Sequence, residues 1–311
     1  MSNTAVLERV RALGIPPAWT DVWICPHEHG HLQAVGVDAA GRRQYIYHSR
    51  WRERRDQQKF DRMLTFARLL PVLRASAARD LELPDLGRRR VLACAVRLLD
   101  VGFFRIGGES YASLNGSFGL ATLERRHVKL AGNGRIVFDY PAKSGQRRVQ
   151  SVVDEDVYEV IRALKRRRSG GDALLAYRRE EDGAWVDVRS FEINAYIKEL
   201  TSADVSAKDF RTWHANLLAA TALAVSAWQE TQTGREKAIR HAVQEAAYYL
   251  GNTPTVCRAS YLDPRLFDHY RSGSTVADAL QEAVLEESEL PGETVERALI
   301  DLLEEAPSRT S

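Results

Sequence analysis

The stretch that most constrains the fold is residues 127–153. It reads HVKL, the turn AGNG, then RIVFDYP, the turn KSGQ, and RRVQSVV. Glycine-rich turns on either side of short β-type runs predict a three-stranded antiparallel meander. Lys143 falls at the tip of the second turn.

A second β-rich region covers residues 19–48, where DVWICP, HLQAVGVD and AAGRRQYIYH alternate with turn signals. The AAG near residue 40 reads as a hairpin turn, so this region predicts a small antiparallel sheet. Over 56–81 the pattern becomes helical, with Phe60, Met63, Leu64, Phe66, Leu69 and Leu70 recurring at about one-turn spacing. Pro71 and Pro84 with Gly87 punctuate the end of that run, and a domain boundary is expected there. Further helices are predicted over 91–101, 152–168 (starting after Asp154 and Glu155), 191–200, 210–231 and 235–250, and the C-terminal segment also has helical spacing. The expected class is α+β: a small antiparallel β-sheet domain over residues 1–75, then a larger, mainly α-helical domain over 76–311 that contains the short β-meander.

A chain of 311 residues is long enough for two cores. MSNTAVLERV is polar and broken by charge, unlike a signal peptide. The longest apolar run, 217–228, is too short to span a bilayer. Cys25, Cys94 and Cys257 are few, odd in number and far apart, which suits a reducing cytoplasm better than a disulfide framework. The net charge of +2 hides an asymmetry. Residues 281–311 carry nine acidic and two basic side chains, which leaves +9 on the first 280. Seven of the 44 basic residues are lysine, so the body is rich in arginine, whose guanidinium pairs with phosphate oxygens in a bidentate way. A solvated arginine surface is the other reading, and charge alone does not choose.

Cys25-Pro-His27-Glu28-His29-Gly30-His31 offers four possible zinc ligands. Ligands so closely spaced rarely close a tetrahedron without a second cluster elsewhere, so a polar loop is expected and no metal. Gly107-Gly108 and Gly170-Gly171 fit no phosphate-loop or dinucleotide pattern, so no bound nucleotide is expected.

Five segments, read in order, resemble the catalytic signature of type IB DNA topoisomerases, above all the poxvirus-like and bacterial branch. They are GRRQYIYH, FFRIGGESYA, FDYPAKSG, KDFRTWHAN and LGNTPTVCRASY, and the resemblance runs from about residue 19 to about 264. The resemblance implies a 3′-phosphotyrosyl intermediate on duplex DNA and relaxation of supercoils without cofactor, nucleotide or metal. It also implies a monomer that closes its N-terminal domain around the DNA as a clamp, and a cytoplasmic, nucleoid-associated site of action. By motif, Tyr261 matches the nucleophile, Arg105 and Arg211 the two arginines on the scissile phosphate, and Lys143 the general acid. Asn252 stands where poxvirus and eukaryotic members have histidine and bacterial members typically have asparagine. Gln44, Tyr45 and Tyr111 match DNA-contacting positions.

The residue types suit that chemistry in their own right. A phenol with a pKa of about 10 is a poor nucleophile unless nearby cations favour the phenolate. Guanidiniums stabilise charge that builds on the non-bridging oxygens. A lysine can protonate the departing alkoxide, and an asparagine amide can donate to a phosphoryl oxygen. Arg211 is expected in the first turn of its helix, where the dipole also favours an anion. Taken singly, each residue also fits a surface charge, a helix turn or core packing; the ordered set is what favours a catalytic reading. A tyrosine recombinase shares these side chains, but recombinases generally have histidine where Lys208 stands, and a helical N-terminal domain. A catalytically silent DNA-binding protein on the same fold would have lost one of the five.

Overall fold

A computed structural model describes residues 4–226, 228–285 and 292–305. Among them are twelve α-helices and eight strands. The chain forms two compact units, Met1–Arg62 and Met63–Ser311.

The first unit holds α1 (Thr4–Ala12) and the strands β1 (Thr20–Ile24), β2 (Leu32–Val37) and β3 (Arg43–Tyr47), antiparallel in the order β1-β2-β3. Asp38 closes the predicted hairpin by accepting from the backbone N–H of Ala40 and of Arg42, while Gly41 takes the left-handed conformation the turn requires (φ +74°). The side chain of Gln33 is buried and saturated. Its Nε2 donates to the carbonyls of His27, Glu28 and Gly30, and its Oε1 accepts from Arg9. Arg9 also donates to the Cys25 carbonyl at 2.7 Å, so α1 is fastened to the sheet by polar bonds. That explains why hydrophobic periodicity did not reveal this helix: none of its residues is buried.

Helix α2 (Ser49–Leu81) starts seven residues before the expected 56, ends at the expected 81 and runs unbroken through Pro71. A proline inside a helix costs about 3 kcal/mol. Here Phe66, Ala67, Leu70, Leu73, Ala77 and Leu81 are buried on both sides of it, and their burial outweighs that cost. The expected boundary after residue 75 and the division between the units at residue 62 both fall inside this helix.

In the second unit α3 (Arg88–Gly102) is buried along most of its length, with Leu92, Cys94, Leu98 and Leu99 fully buried. After α4 (Glu109–Asn115) comes the predicted meander of β4 (Val128–Gly132), β5 (Arg135–Pro141) and β6 (Arg147–Val153). Asn133 and Gly134 both have positive φ, as a tight hairpin turn demands. Alternation along β5 buries Ile136, Phe138 and Tyr140, and Phe104 packs edge-on against Phe138 at 4.8 Å. Helix α5 (Glu155–Arg166) starts beside the acidic pair Asp154 and Glu155; Val152 and Val153 pair in β6, and Asp154 caps the helix by accepting from the Val157 N–H.

A small hairpin, β7 (Ala176–Arg178) with β8 (Trp185–Asp187), precedes α6 (Ser190–Thr201) and α7 (Ala207–Val225). Helix α7 ends six residues before the expected 231. The hydroxyl of Thr231 instead accepts from Gly234 to start α8 (Gln232–Leu250), and Arg235 donates to the Gln229 and Glu230 carbonyls, which fixes the connecting segment as a turn. Then come α9 (Pro254–Ser260), α10 (Pro264–Arg271), α11 (Ala277–Leu285) and α12 (Glu293–Glu304). The acidic C-terminal segment is partly structural: α12 buries Val295, Leu299 and Leu303. Its Glu296 joins Asp100 in holding Arg74, at 2.7 and 2.8 Å.

Candidate active site

The site is built at helix junctions whose sequence dictates where each helix stops. Gly251 ends α8 in the left-handed conformation, and Thr253 caps α9 by accepting from the Val256 N–H, with Pro254 at the first helical position. The run Gly-Asn-Thr-Pro thereby leaves Asn252 alone between two caps. Asp263 and Pro264 start α10 in the same way, so Tyr261 sits in the joint between α9 and α10. Asn216 of α7 pins that joint. Its Nδ2 donates to the Tyr261 carbonyl at 2.8 Å, and its Oδ1 accepts from the Asp263 N–H at 2.8 Å.

Arg211, also on α7 and only 4 % exposed, donates to the Phe103 carbonyl at 2.6 Å and the Leu250 carbonyl at 2.9 Å. Its guanidinium carbon lies 5.5 Å from the centre of the Tyr261 ring. Phe103 is held at φ +53°, an unusual conformation for an aromatic residue, and presents that carbonyl. Two residues later Arg105 donates to the Gly251 carbonyl at 2.7 Å and to Asn252 Oδ1. Two buried donors here have no partner among the described residues, Arg211 Nε and Asn252 Nδ2. Buried N–H groups left unsatisfied are costly and mark a place where an acceptor is due.

Four of the five candidates, Arg105, Arg211, Asn252 and Tyr261, are thus joined through direct contacts and shared backbone segments. Lys143 is exposed at the β5–β6 turn and lines, with Arg105, Arg148, Tyr248, Tyr249 and Gly251, one wall of a cleft of about 460 Å³. Ser144 and Gly145 behind it both have positive φ.

Residues 48–283 match the catalytic core of eukaryotic DNA topoisomerase I, and residues 1–38 match the N-terminal domain of bacterial DNA topoisomerase IB. DNA topoisomerase 1B of Acanthamoeba polyphaga mimivirus is 32% identical over 266 residues, 84% of this chain and 78% of its own. The chain belongs to the type IB DNA topoisomerases. It is also similar to DNA topoisomerase 1 of Candidozyma auris, 30% identical over 42% of this chain and 16% of that one. DNA topoisomerase 1 beta of Arabidopsis thaliana is 25% identical over 52% of this chain and 16% of its own. The chain spans only about a sixth of those two relatives.

The electrostatics of this type I topoisomerase follow from burial and from the density of arginine. Burial pushes the Arg211 guanidinium down to about 10, helped by the charges of Arg105 and Arg148 and opposed by Tyr261. It remains a cation at neutral pH. Burial alone would raise the phenol of Tyr261, but the positive charges of Arg211, Arg105 and Lys208 outweigh it and hold the phenol below its ordinary value. Arg211 is the fifth residue of α7, past the first turn where the sequence reading put it, because Ser206 and Asp209 cap the helix earlier than expected. It acts through its own charge, since the dipole effect falls off within the first turn.

Gln44 and Tyr45 lie on β3 of the first unit. Gln44 donates to Asp38 at 2.8 Å, while Tyr45 is 47 % exposed and stacks on Tyr47, which stacks in turn on Trp51. Tyr111 falls on α4, and its side chain lies outside what the structure describes. Among the described residues no group of three or more His, Cys, Asp or Glu is arranged to hold a metal, and no helix is long and apolar enough to cross a membrane. Two contributors have no role assigned from the sequence. Asn216 closes the KDFRTWHAN segment without a role of its own, and Arg148 is one arginine among 37. Lys208 enters the sequence reading only as a residue that separates this chain from recombinases.

Proposed function

We propose that Tyr261 attacks a backbone phosphate of duplex DNA, forming a 3′-phosphotyrosyl bond and releasing a 5′-hydroxyl. Strand rotation then sheds supercoils, and attack by the hydroxyl restores the DNA. One phosphodiester replaces another, so no nucleotide is consumed. The observation that carries the assignment is the set of two arginines and one asparagine amide around a phenol held below its ordinary pKa. Arg105 and Arg211 stabilise charge on the non-bridging oxygens, and the unpartnered Arg211 Nε and Asn252 Nδ2 are donors awaiting those oxygens. Lys143, on its exposed turn at the cleft wall, donates the proton to the leaving 5′-oxygen. Gln44, Tyr45 and Tyr111 contact the duplex outside the reacting centre. The enzyme works as a monomer at the nucleoid.

The test is relaxation of supercoiled plasmid in EDTA without ATP. Wild type relaxes the plasmid and forms a covalent adduct. Tyr261→Phe does neither, while still binding DNA. An adduct of normal yield from the variant would remove Tyr261 from the reaction.

A further inference from the structure

Arg148 has no part in the mechanism above, yet it is half-buried beside it. It stands on β6 opposite Tyr140, and its Nε donates to Gln150 Oε1 at 2.6 Å. Gln150 is itself braced by donating to the Gly102 carbonyl at 2.9 Å. Arg148 Nη2 donates to the Tyr249 carbonyl. A Cβ placed on Gly251 would come within 2.6 Å of Arg148 Nη1 and 3.8 Å of Arg105 Nη1, so both guanidiniums crowd the same α-carbon. Burial and the charge of Arg105 hold Arg148 below the ordinary arginine range, and Arg148 in turn depresses Arg211.

Three guanidiniums therefore converge, and none of the groups that act most strongly on Arg148 or Arg211 is a carboxylate. Half-buried like charges without a counter-ion are unfavourable, and the structure tolerates them by fixing each to backbone carbonyls. Such an arrangement is complementary to an anion with more than one charge in a row. Arg148 lines the cleft together with Lys143 and Arg105, whereas Arg211 and Tyr261 are not among the residues that line it.

We propose that Arg148 grips the backbone phosphate next to the scissile one, so that the cleft holds two consecutive phosphates of the same strand. This rests on the reading that Tyr261, Arg105 and Arg211 hold the scissile phosphate. It makes Arg148 a substrate-binding residue that fixes the register of the strand over Tyr261.

The experiment uses the full chain and a duplex with one cleavage site. Neutral methylphosphonates replace the flanking phosphates one at a time. For wild type, one flanking position should weaken binding about tenfold when neutralised. Arg148→Gln should weaken binding to the unmodified duplex by a similar factor and lower the slope of log K against log salt by about 0.9. The same methylphosphonate should then cost the variant nothing further. Arg148→Met, which keeps the apolar stem, is read in the same way and guards against a folding defect in the glutamine variant. Equal penalties for wild type and both variants at every position, or an unchanged salt slope, would overturn the proposal. Absence of any Tyr261 adduct from wild type would instead overturn the reading beneath it, and this proposal with it.

Discussion

Asn216 is the residue through which the second unit holds its candidate nucleophile, and replacing it with alanine gives a quantitative test. Its side chain is fully buried and bonds both the Tyr261 carbonyl and the Asp263 N–H at 2.8 Å. Asn216→Ala strips both partners at once. A buried polar group left unsatisfied costs about 1–3 kcal/mol. The Asp263 N–H is the more deeply buried of the two, whereas the Tyr261 carbonyl is only partly covered and can recruit water. About 2–4 kcal/mol is therefore the expected loss, against a typical domain stability of about 5–15 kcal/mol. For a unit of this size that lowers Tm by about 4–16 °C. The catalytic effect should be separate and larger, because a displacement of about 1 Å at the reacting group costs about 10²-fold. Thermal melts by circular dichroism give the first quantity. Single-turnover adduct formation, run well below the variant's melting range, gives the second. A Tm unchanged from wild type together with a wild-type adduct rate would refute the claim that Asn216 sets the Tyr261 joint.

Other residues give sharper chemical tests. Asn252→Ala should slow single-turnover cleavage by about 10²-fold, the effect of one lost oxyanion donor. Asn252→Asp should be slower still, since a carboxylate would pair with Arg105 and repel phosphate; an aspartate variant as fast as wild type would rule out amide donation. Lys143→Ala should slow cleavage by about 10²–10⁴-fold, and a 5′-bridging sulfur, which leaves as a weakly basic thiolate, should restore it. Arg105→Ala should stay slow on that substrate, and failure of sulfur to rescue Lys143→Ala would leave Lys143 an electrostatic residue only. In the free protein, the phenolate absorbance of wild type minus that of Tyr261→Phe should titrate below about 10. Removing a positive charge disfavours the phenolate, so Arg211→Gln should move that midpoint upward; an unmoved midpoint would show that Arg211 does not tune the nucleophile.

The parts of this protein readable from sequence are those governed by short-range rules. The two antiparallel sheets follow from turns that need Asn or Gly at positive φ and from alternation such as that of β5. Gly251, Thr253-Pro254 and Asp263-Pro264 are local stop and start signals that set the joints where Asn252 and Tyr261 lie. The family resemblance rested on the same short motifs. Where a longer-range energy outweighs a local preference, the sequence misleads. Pro71 is locally a helix breaker, but buried side chains on both sides of it carry α2 through. Helix α1 has no buried face and is held by Arg9 and Gln33, a pairing no periodicity announces. Within the site, Arg148, Asn216 and Lys208 reach the centre only because β6, α7, α8 and α9 are packed together, with partners 45 and 101 residues away in the chain for Asn216 and Arg148. The side-chain types that do the chemistry are written in the sequence. Their convergence is a product of tertiary packing, which alone brings carbonyls and charges distant in the chain within bonding distance.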